Sequence, residues 1–82
     1  MDPQAVIEVE KGKPLVGKVE KLSSTSLFVS FDKYFNSSEL VNGKQYFVSI
    51  FDAKGKSRLP CILVKFDYEL IYFHLINKQT IH

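Results

Sequence analysis

The sequence has only one cysteine, Cys61, which excludes an intrachain disulfide. Cys61 lies in the apolar run 60–66, a context typical of a small buried or half-buried hydrophobic residue. A nucleophilic or metal-binding cysteine needs His or acidic partners, and His74 and His82 are the only histidines. Nothing in the sequence places either histidine beside Cys61, so we expect the thiol to have a structural role.

The sequence also lacks a long apolar run. No segment approaches the roughly 20 apolar residues of a membrane-spanning helix. The first residues, MDPQAVIEV, have neither the positive start nor the apolar stretch of a signal peptide. Together with the single cysteine, these features predict a protein of the reducing cytoplasm that is not inserted in a membrane.

Neither sign of charge predominates in the chain. Its 82 residues include 11 Lys and Arg and 9 Asp and Glu, which gives a formal net charge of +2. The lysines and the single Arg58 are scattered, whereas dedicated nucleic-acid or membrane-surface proteins usually concentrate basic residues in a patch. Apolar residues make up 45% of the chain, including seven Phe and four Tyr, which predicts one compact domain over residues 1–82.

Catalytic and metal-binding motifs are missing too. The sequence has no GxGxxG or GxxxxGK[ST] segment and no cluster of His, Cys and Asp with metal-ligand spacing. Its carboxylates lie mostly at polar strand positions or in turns, where charged side chains are ordinarily solvated. His74 alternates with Phe73 and Leu75 and is expected to point away from the core. We therefore expect no enzymatic activity and no cofactor.

Alternation of apolar and polar residues with a period of two dominates the sequence and predicts strands. The predicted strands cover residues 6–10, 15–22, 27–31, 45–51, 60–68 and 70–76. A short helical turn could begin at Ser37 or Ser38, but no longer helix and no internal repeat is evident. Six short strands joined by polar turns are typical of a barrel or a small sandwich. We predict an all-β fold, a small six-stranded antiparallel β-barrel with little or no helix.

The alternation leaves the predicted sheet with two apolar faces. The face assigned to the core carries Val19, Val29, Val48, Val64 and Phe73. Several apolar side chains on one outer surface can mark an interface, here with a protein partner or a second copy of the chain. The other interpretation is a face covered by the long loop or by the termini. The candidate contact residues on this second face are Phe28, Phe47, Phe51, Leu63 and Tyr72.

The same aromatic residues permit another class of function. Small β-barrels bind single-stranded nucleic acid through aromatic platforms flanked by basic side chains. A near-neutral net charge lowers the electrostatic contribution that provides most non-specific affinity. The residues of such a platform would be Phe28, Phe47, Phe51 and Tyr72 with Lys18, Lys65 and Arg58.

Four segments follow one another in a recognisable order: PLVGKVEKLSSTSLFVSF, ELVNGKQYFVSI, LPCILVKF and LIYFHLI. They resemble the PilZ domain family, whose members are small six-stranded barrels that regulate bacterial surface behaviour, and the likeness spans most of the chain, about residues 5–76. In the family, the first segment holds a strand that leads into an Asp-x-Ser-x-x-Gly turn. Typical members bind cyclic di-GMP with this turn and with an Arg-x-x-x-Arg arm ahead of the first strand.

This chain departs from both motifs of the family. No arginine precedes Arg58, so the arm is absent, and Ser23 is the only match to the turn motif. Lys21 replaces the acidic residue and Ser26 replaces the glycine, whose backbone angles a serine adopts reluctantly. The resemblance implies that the chain alone does not bind cyclic di-GMP tightly, with Lys21 and Ser23 as weak residual phosphate contacts. Segment 23–26 is either a turn retained from such a motif or a plain Ser-rich β-turn.

Family members that lack both motifs resemble adaptors, which dock on another protein in settings such as type IV pilus or flagellar control. The apolar second face suits that role, because Phe and Tyr side chains would provide the main contacts of an interface. The sequence thus predicts a non-enzymatic regulatory adaptor that acts through protein–protein contacts. The alternative is a small single-stranded nucleic-acid-binding protein.

Overall fold

Six strands build the fold in a computed structural model that describes residues 3–31, 40–67 and 69–76. They are β1 (Gln4–Ile7), β2 (Leu15–Leu22), β3 (Ser26–Ser30), β4 (Gln45–Asp52), β5 (Gly55–Phe66) and β6 (Leu70–Leu75). Every neighbouring pair is antiparallel, and the sheet closes in the order β1–β2–β3–β6–β5–β4. The predicted all-β barrel is confirmed, and the described residues contain no helix. The helical turn predicted at Ser37 or Ser38 lies outside them.

The largest difference from the predicted strands is in β5, which begins at Gly55 rather than at Pro60. Its first half is polar, but its backbone pairs with β4 from Gly55 onward. β5 pairs with β6 only from Cys61 onward. Pro60, which has no N–H to donate, therefore lies just before the β5–β6 ladder begins, where proline is tolerated. The carbonyl of Pro60 still accepts a hydrogen bond from the N–H of Ile76 at 3.0 Å.

The interior of the barrel is filled by the side chains that alternate inward along the strands. Val29, Val48 and Phe73 are buried as predicted, and so is the thiol of Cys61. The buried hydrophobic residues are Ala5, Ile7, Leu27, Val29, Leu40, Tyr46, Val48, Ile50, Cys61, Leu63, Ile71 and Phe73. Val19 and Phe31 are partly buried and pack against this cluster.

The prediction is wrong at two neighbouring residues of β5. Leu63, expected on the outer face, is completely buried, whereas Val64, expected in the core, is 41% exposed. The pairing of β5 with β6 shifts between Leu63 and Lys65, so Val64 is the extra residue of a β-bulge. Residues 61–64 are all apolar, and their sequence therefore does not show which of them point inward. Leu63 is removed from the candidate contact residues.

The two halves of the barrel are built alike. The β1–β2–β3 and β4–β5–β6 units pair in the same antiparallel order, although β1 pairs with β2 over four residues and β4 pairs with β5 over eight. A bulge interrupts β2 between Val19 and Lys21, at the position that corresponds to the bulge in β5. Phe28 and Tyr72 are direct cross-strand partners, and an approximate two-fold axis passes between them.

This internal repeat is hidden in the sequence. Between residues 19–30 and 63–74, which correspond to each other, Lys21 and Lys65 are the only identical pair. The two segments share the positions of their inward side chains, of the bulge and of the turn, counted from the start of each segment. Such a pattern is recognised from backbone pairing and not from residue identity.

Gly17 lies at a point of β2 where a larger residue does not fit. A Cβ atom there would lie 2.6 Å from the carbonyl oxygen of Ser30 and 2.9 Å from a ring carbon of Phe31. We expect Gly17→Ala to lower the free energy of unfolding by about 1–3 kcal/mol, as overpacking typically does. Urea denaturation measures the difference. The control is Val16→Ala, which alters a side chain that is 57% exposed and should change stability by no more than about 0.5 kcal/mol. Equal losses in both variants would contradict the packing argument.

Candidate functional site

The aromatic residues predicted to form one contact surface lie in two separate groups on the barrel. Phe47 and Phe51 belong to β4, whereas Phe28 belongs to β3 and Tyr72 to β6. In the closed order of strands, β3 is three steps from β4 in either direction. The barrel therefore has two separate candidate surfaces.

The first surface, here called the β4 face, combines exposed apolar side chains with cations. It consists of the outward side chains of Val6, Val16, Phe47, Phe51, Lys56 and Arg58. Phe47 is 36% exposed and Phe51 is 41% exposed. Val6 and Val16 are direct partners across β1 and β2 and extend the apolar area beside the two rings.

Arg58 is fixed in place by two neighbouring residues. Its guanidinium carbon lies 4.0 Å from the centre of the Phe47 ring, which is a close cation–π contact. Its Nε and Nη2 atoms donate hydrogen bonds of 2.8 and 2.9 Å to the two carboxylate oxygens of Glu8. Lys56 makes a similar contact with Phe51, with Nζ 5.6 Å from the ring centre. Each exposed phenylalanine of the β4 face therefore has a cation over its ring.

The ion pairs beside the β4 face shift the pKa values of their members. The hydrogen bonds from Arg58 lower the pKa of Glu8, and the same bonds raise the pKa of Arg58. A hydrogen bond from Lys44 lowers the pKa of Glu10 in the same way. A general acid needs a raised carboxyl pKa, so these shifts have the wrong direction for that role.

The second surface, here called the lysine row, crosses four strands. Lys21, Phe28, Tyr72 and Lys65 are successive cross-strand partners on β2, β3, β6 and β5. The Phe28 and Tyr72 rings are stacked, with centroids 4.6 Å apart and planes 5° from parallel. The row therefore has an aromatic pair at its centre and a lysine at each end.

The two β-bulges place the lysines in this row. In a regular ladder without the bulge, Glu20 would pair with Phe28, and Lys21 would pair with the buried Leu27 and point inward. The bulge at Val64 has the same effect on Lys65. The register of both strands thus depends on the bulges, and so does the outward position of both cations.

A groove of about 420 Å³ borders one side of the lysine row. Its lining mixes one cation with two carboxylates and apolar atoms. The Ser30 hydroxyl donates a hydrogen bond to the Glu20 carboxylate within this groove. The lining residues are Glu20, Lys21, Phe28, Ser30, Glu69 and Leu70.

Segment 23–26 is a β-turn that the Ser23 side chain closes. The Ser23 Oγ atom accepts hydrogen bonds from the backbone N–H groups of Thr25 at 3.3 Å and Ser26 at 3.1 Å. The Ser23 N–H donates to the Ser26 carbonyl at 2.9 Å. Asp67 closes the β5–β6 turn with the same arrangement, in which Oδ1 accepts from the two corresponding N–H groups. The turn alone therefore explains why a serine stands at position 23.

The two residual phosphate contacts predicted from the sequence are not equivalent. The Ser23 hydroxyl is engaged by the backbone of its own turn, whereas Lys21 is exposed at one end of the lysine row. Arg58, the single arginine of the sequence, is paired with Glu8 beside the β4 face. No guanidinium group is therefore positioned next to the Ser23 turn within residues 3–31, 40–67 and 69–76.

The remaining candidate groups are placed as follows. His74 is exposed on β6, as predicted. Within the described part of the chain, no three His, Cys, Asp or Glu side chains come together in a way that could hold a metal ion. The same part of the chain also contains no helix that is long and apolar enough to cross a membrane.

Comparison with known proteins leaves the family of the chain open, because no family model and no curated protein matches the sequence. The resemblance to the PilZ family stays a prediction. The evidence for function is therefore the geometry of the β4 face and the lysine row.

The buried thiol gives a test of the interior. Burial raises the pKa of Cys61 to about 12. At pH 8 only about one thiol in 10⁴ is then ionised, and thiolate is the reactive form. We expect the folded protein to react with a chromogenic disulfide reagent at least about 100-fold more slowly than the same protein in guanidinium chloride. Fast reaction of the folded chain would contradict the buried position of Cys61.

Proposed function

We propose that the chain is a non-enzymatic, PilZ-like regulatory adaptor of the bacterial cytoplasm that binds a partner protein through the β4 face. The observation that supports this most directly is the pair of exposed rings, Phe47 and Phe51, each with a cation over it. Aromatic side chains and arginine are the residues that most often dominate the binding energy of protein interfaces.

The β4 face is ordered before any partner arrives. β4 is hydrogen-bonded to β1 on one side and to β5 on the other, so the two rings stand on a backbone with neighbours on both edges. The ring of Phe47 and the carboxylate of Glu8 hold the Arg58 side chain. Binding is stronger when fewer side-chain rotamers have to be ordered in the complex.

Charge suggests the chemistry of the partner. Lys56 lies over Phe51 at one side of the β4 face, whereas the charge of Arg58 is already offset by Glu8, so a complementary surface would present apolar side chains with a carboxylate facing Lys56. A symmetric dimer through this face would bring the same cations of two copies together, because a two-fold interface uses the same patch on both subunits. We therefore favour a different protein over a second copy of the chain.

Substitution of Phe47 and Phe51 by Ser tests the β4 face. The purified wild-type chain is used as bait in an extract of its host, and each protein retained is then purified and titrated against the wild type and both variants. For the true partner we expect each substitution to weaken binding by about 30-fold, which corresponds to a hot-spot loss of about 2 kcal/mol. Circular dichroism and urea denaturation check that the variants remain folded.

The matched control is Val64→Ser, which removes a similarly exposed apolar side chain from β5 at the bulge, away from the β4 face. Partner binding should be unchanged in this variant. Equal losses in the control, or unfolding of the Phe variants, would contradict the proposal. If the Phe substitutions instead abolish self-association in sedimentation experiments, the β4 face is a homo-oligomer interface and the adaptor proposal fails.

The proposal also excludes tight binding of cyclic di-GMP by this chain alone. Lys21 and Ser26 stand where the family motif has an acid and a glycine, and the Ser23 hydroxyl accepts hydrogen bonds from its own turn. Arg58 is engaged by Glu8. We expect calorimetry to show no affinity for cyclic di-GMP tighter than about 10⁻⁵ M, or about 7 kcal/mol. A PilZ protein with both motifs is the positive control, and a micromolar dissociation constant for this chain would contradict the expectation.

A further inference from the structure

We propose that the lysine row is a binding site for single-stranded nucleic acid. It is centred on β3 and β6, which are not neighbours of β4, and it uses none of the residues of the β4 face. The site is therefore independent of the proposed adaptor function, and the two proposals can fail separately.

The aromatic pair provides surfaces on which bases can stack. Because the Phe28 and Tyr72 rings are stacked on each other, one face of each ring is turned towards its partner. The other face of each ring is directed along the row, towards Lys21 on one side and Lys65 on the other. A base stacked on either outer face would extend the existing stack, and aromatic stacking of this kind tolerates any base.

The two lysines are spaced to meet phosphates on either side of the stacked bases. Lys21 and Lys65 are separated by three strand spacings, and at about 4.8 Å each this gives about 14 Å along the row. Their ammonium groups are flexible point charges that suit phosphate oxygens without requiring a fixed geometry. The row thus combines a stacking platform with a cation at each end.

The carboxylates near the row restrict the path of a bound strand to one side. Glu20 and Glu69 line the groove next to Ser30 and Leu70, where they would repel phosphates. The opposite side of the row is formed by Ser26, His74 and Ile62, which are successive cross-strand partners. We therefore place the strand over the row and towards His74.

The approximate two-fold axis between Phe28 and Tyr72 defines the specificity of the site. Lys21 and Lys65 are equivalent about this axis, so a strand meets a lysine, two rings and a second lysine along the row in either direction, whereas the groups on the two sides of the row differ. Recognition is by stacking and charge, without hydrogen bonds that read base edges. A duplex is excluded as the ligand because its bases are already stacked on each other, and an acidic peptide would leave the two ring faces without a planar partner.

Fluorescence anisotropy with a labelled single-stranded oligothymidylate, at two salt concentrations, tests this site. We expect a dissociation constant of about 10⁻⁴ M or tighter at low salt. Lys21→Gln and Lys65→Gln should weaken binding to the same extent, and each should reduce the slope of log affinity against log salt by about 0.7. Phe28→Ala and Tyr72→Ala should each weaken binding about tenfold or more. The lysine variants alter exposed side chains, so they report on binding even if an aromatic variant does not fold.

Lys56→Gln is the matched control, because it removes the same charge from the β4 face. It should reduce affinity less than either substitution in the row, and Phe47→Ser should leave oligonucleotide binding unchanged. Equal effects of all three lysine substitutions would show that only net charge matters and would overturn the proposal. So would equal binding of a duplex of the same length, equal binding of a polyglutamate peptide, or an affinity for the single strand weaker than about 10⁻⁴ M at low salt.

Discussion

A closed barrel of six strands has room inside for only about one side chain in two, and this limit determines the surface of the molecule. The chain is 45% apolar, so the buried cluster does not accommodate all of its large hydrophobic residues. Among the described residues that remain outside, Phe47 and Phe51 stand beside cations on the β4 face, and the partly buried Phe28 and Tyr72 lie between two lysines on the lysine row. The two candidate binding surfaces are thus a result of how the interior is filled.

The β-bulges determine which residues take part in one of these surfaces. An extra residue in β2 and another in β5 turn Lys21 and Lys65 outward, into line with the aromatic pair. The same insertions place Leu22 opposite Leu27 and Phe66 opposite Ile71, and Phe66 packs against the buried cluster, whereas Leu22 stays 48% exposed. In β5, a single local irregularity therefore serves both the packing of the interior and the composition of the outer surface.

The sequence was sufficient for the fold class and for much of the core, because period-two alternation is clear around Leu27, Val29 and Val48. The sequence was insufficient in β5, where residues 61–64 are all apolar and any of them could point inward. A bulge at Val64 then reverses which residues of the strand face the core. The sequence also did not separate the aromatic residues into two groups, since that depends on the order of strands around the ring. The contact between Arg58 and Glu8 joins positions 50 residues apart and carries no local signal.

The matching halves also say something about how such a ring can be assembled. Each βββ unit meets the other at two seams, β1 with β4 and β3 with β6, and the pairing at both seams is antiparallel and close to self-complementary. Joining the two units at both seams leaves no strand of the ring with an unpaired edge along its whole length, so closure needs no further element.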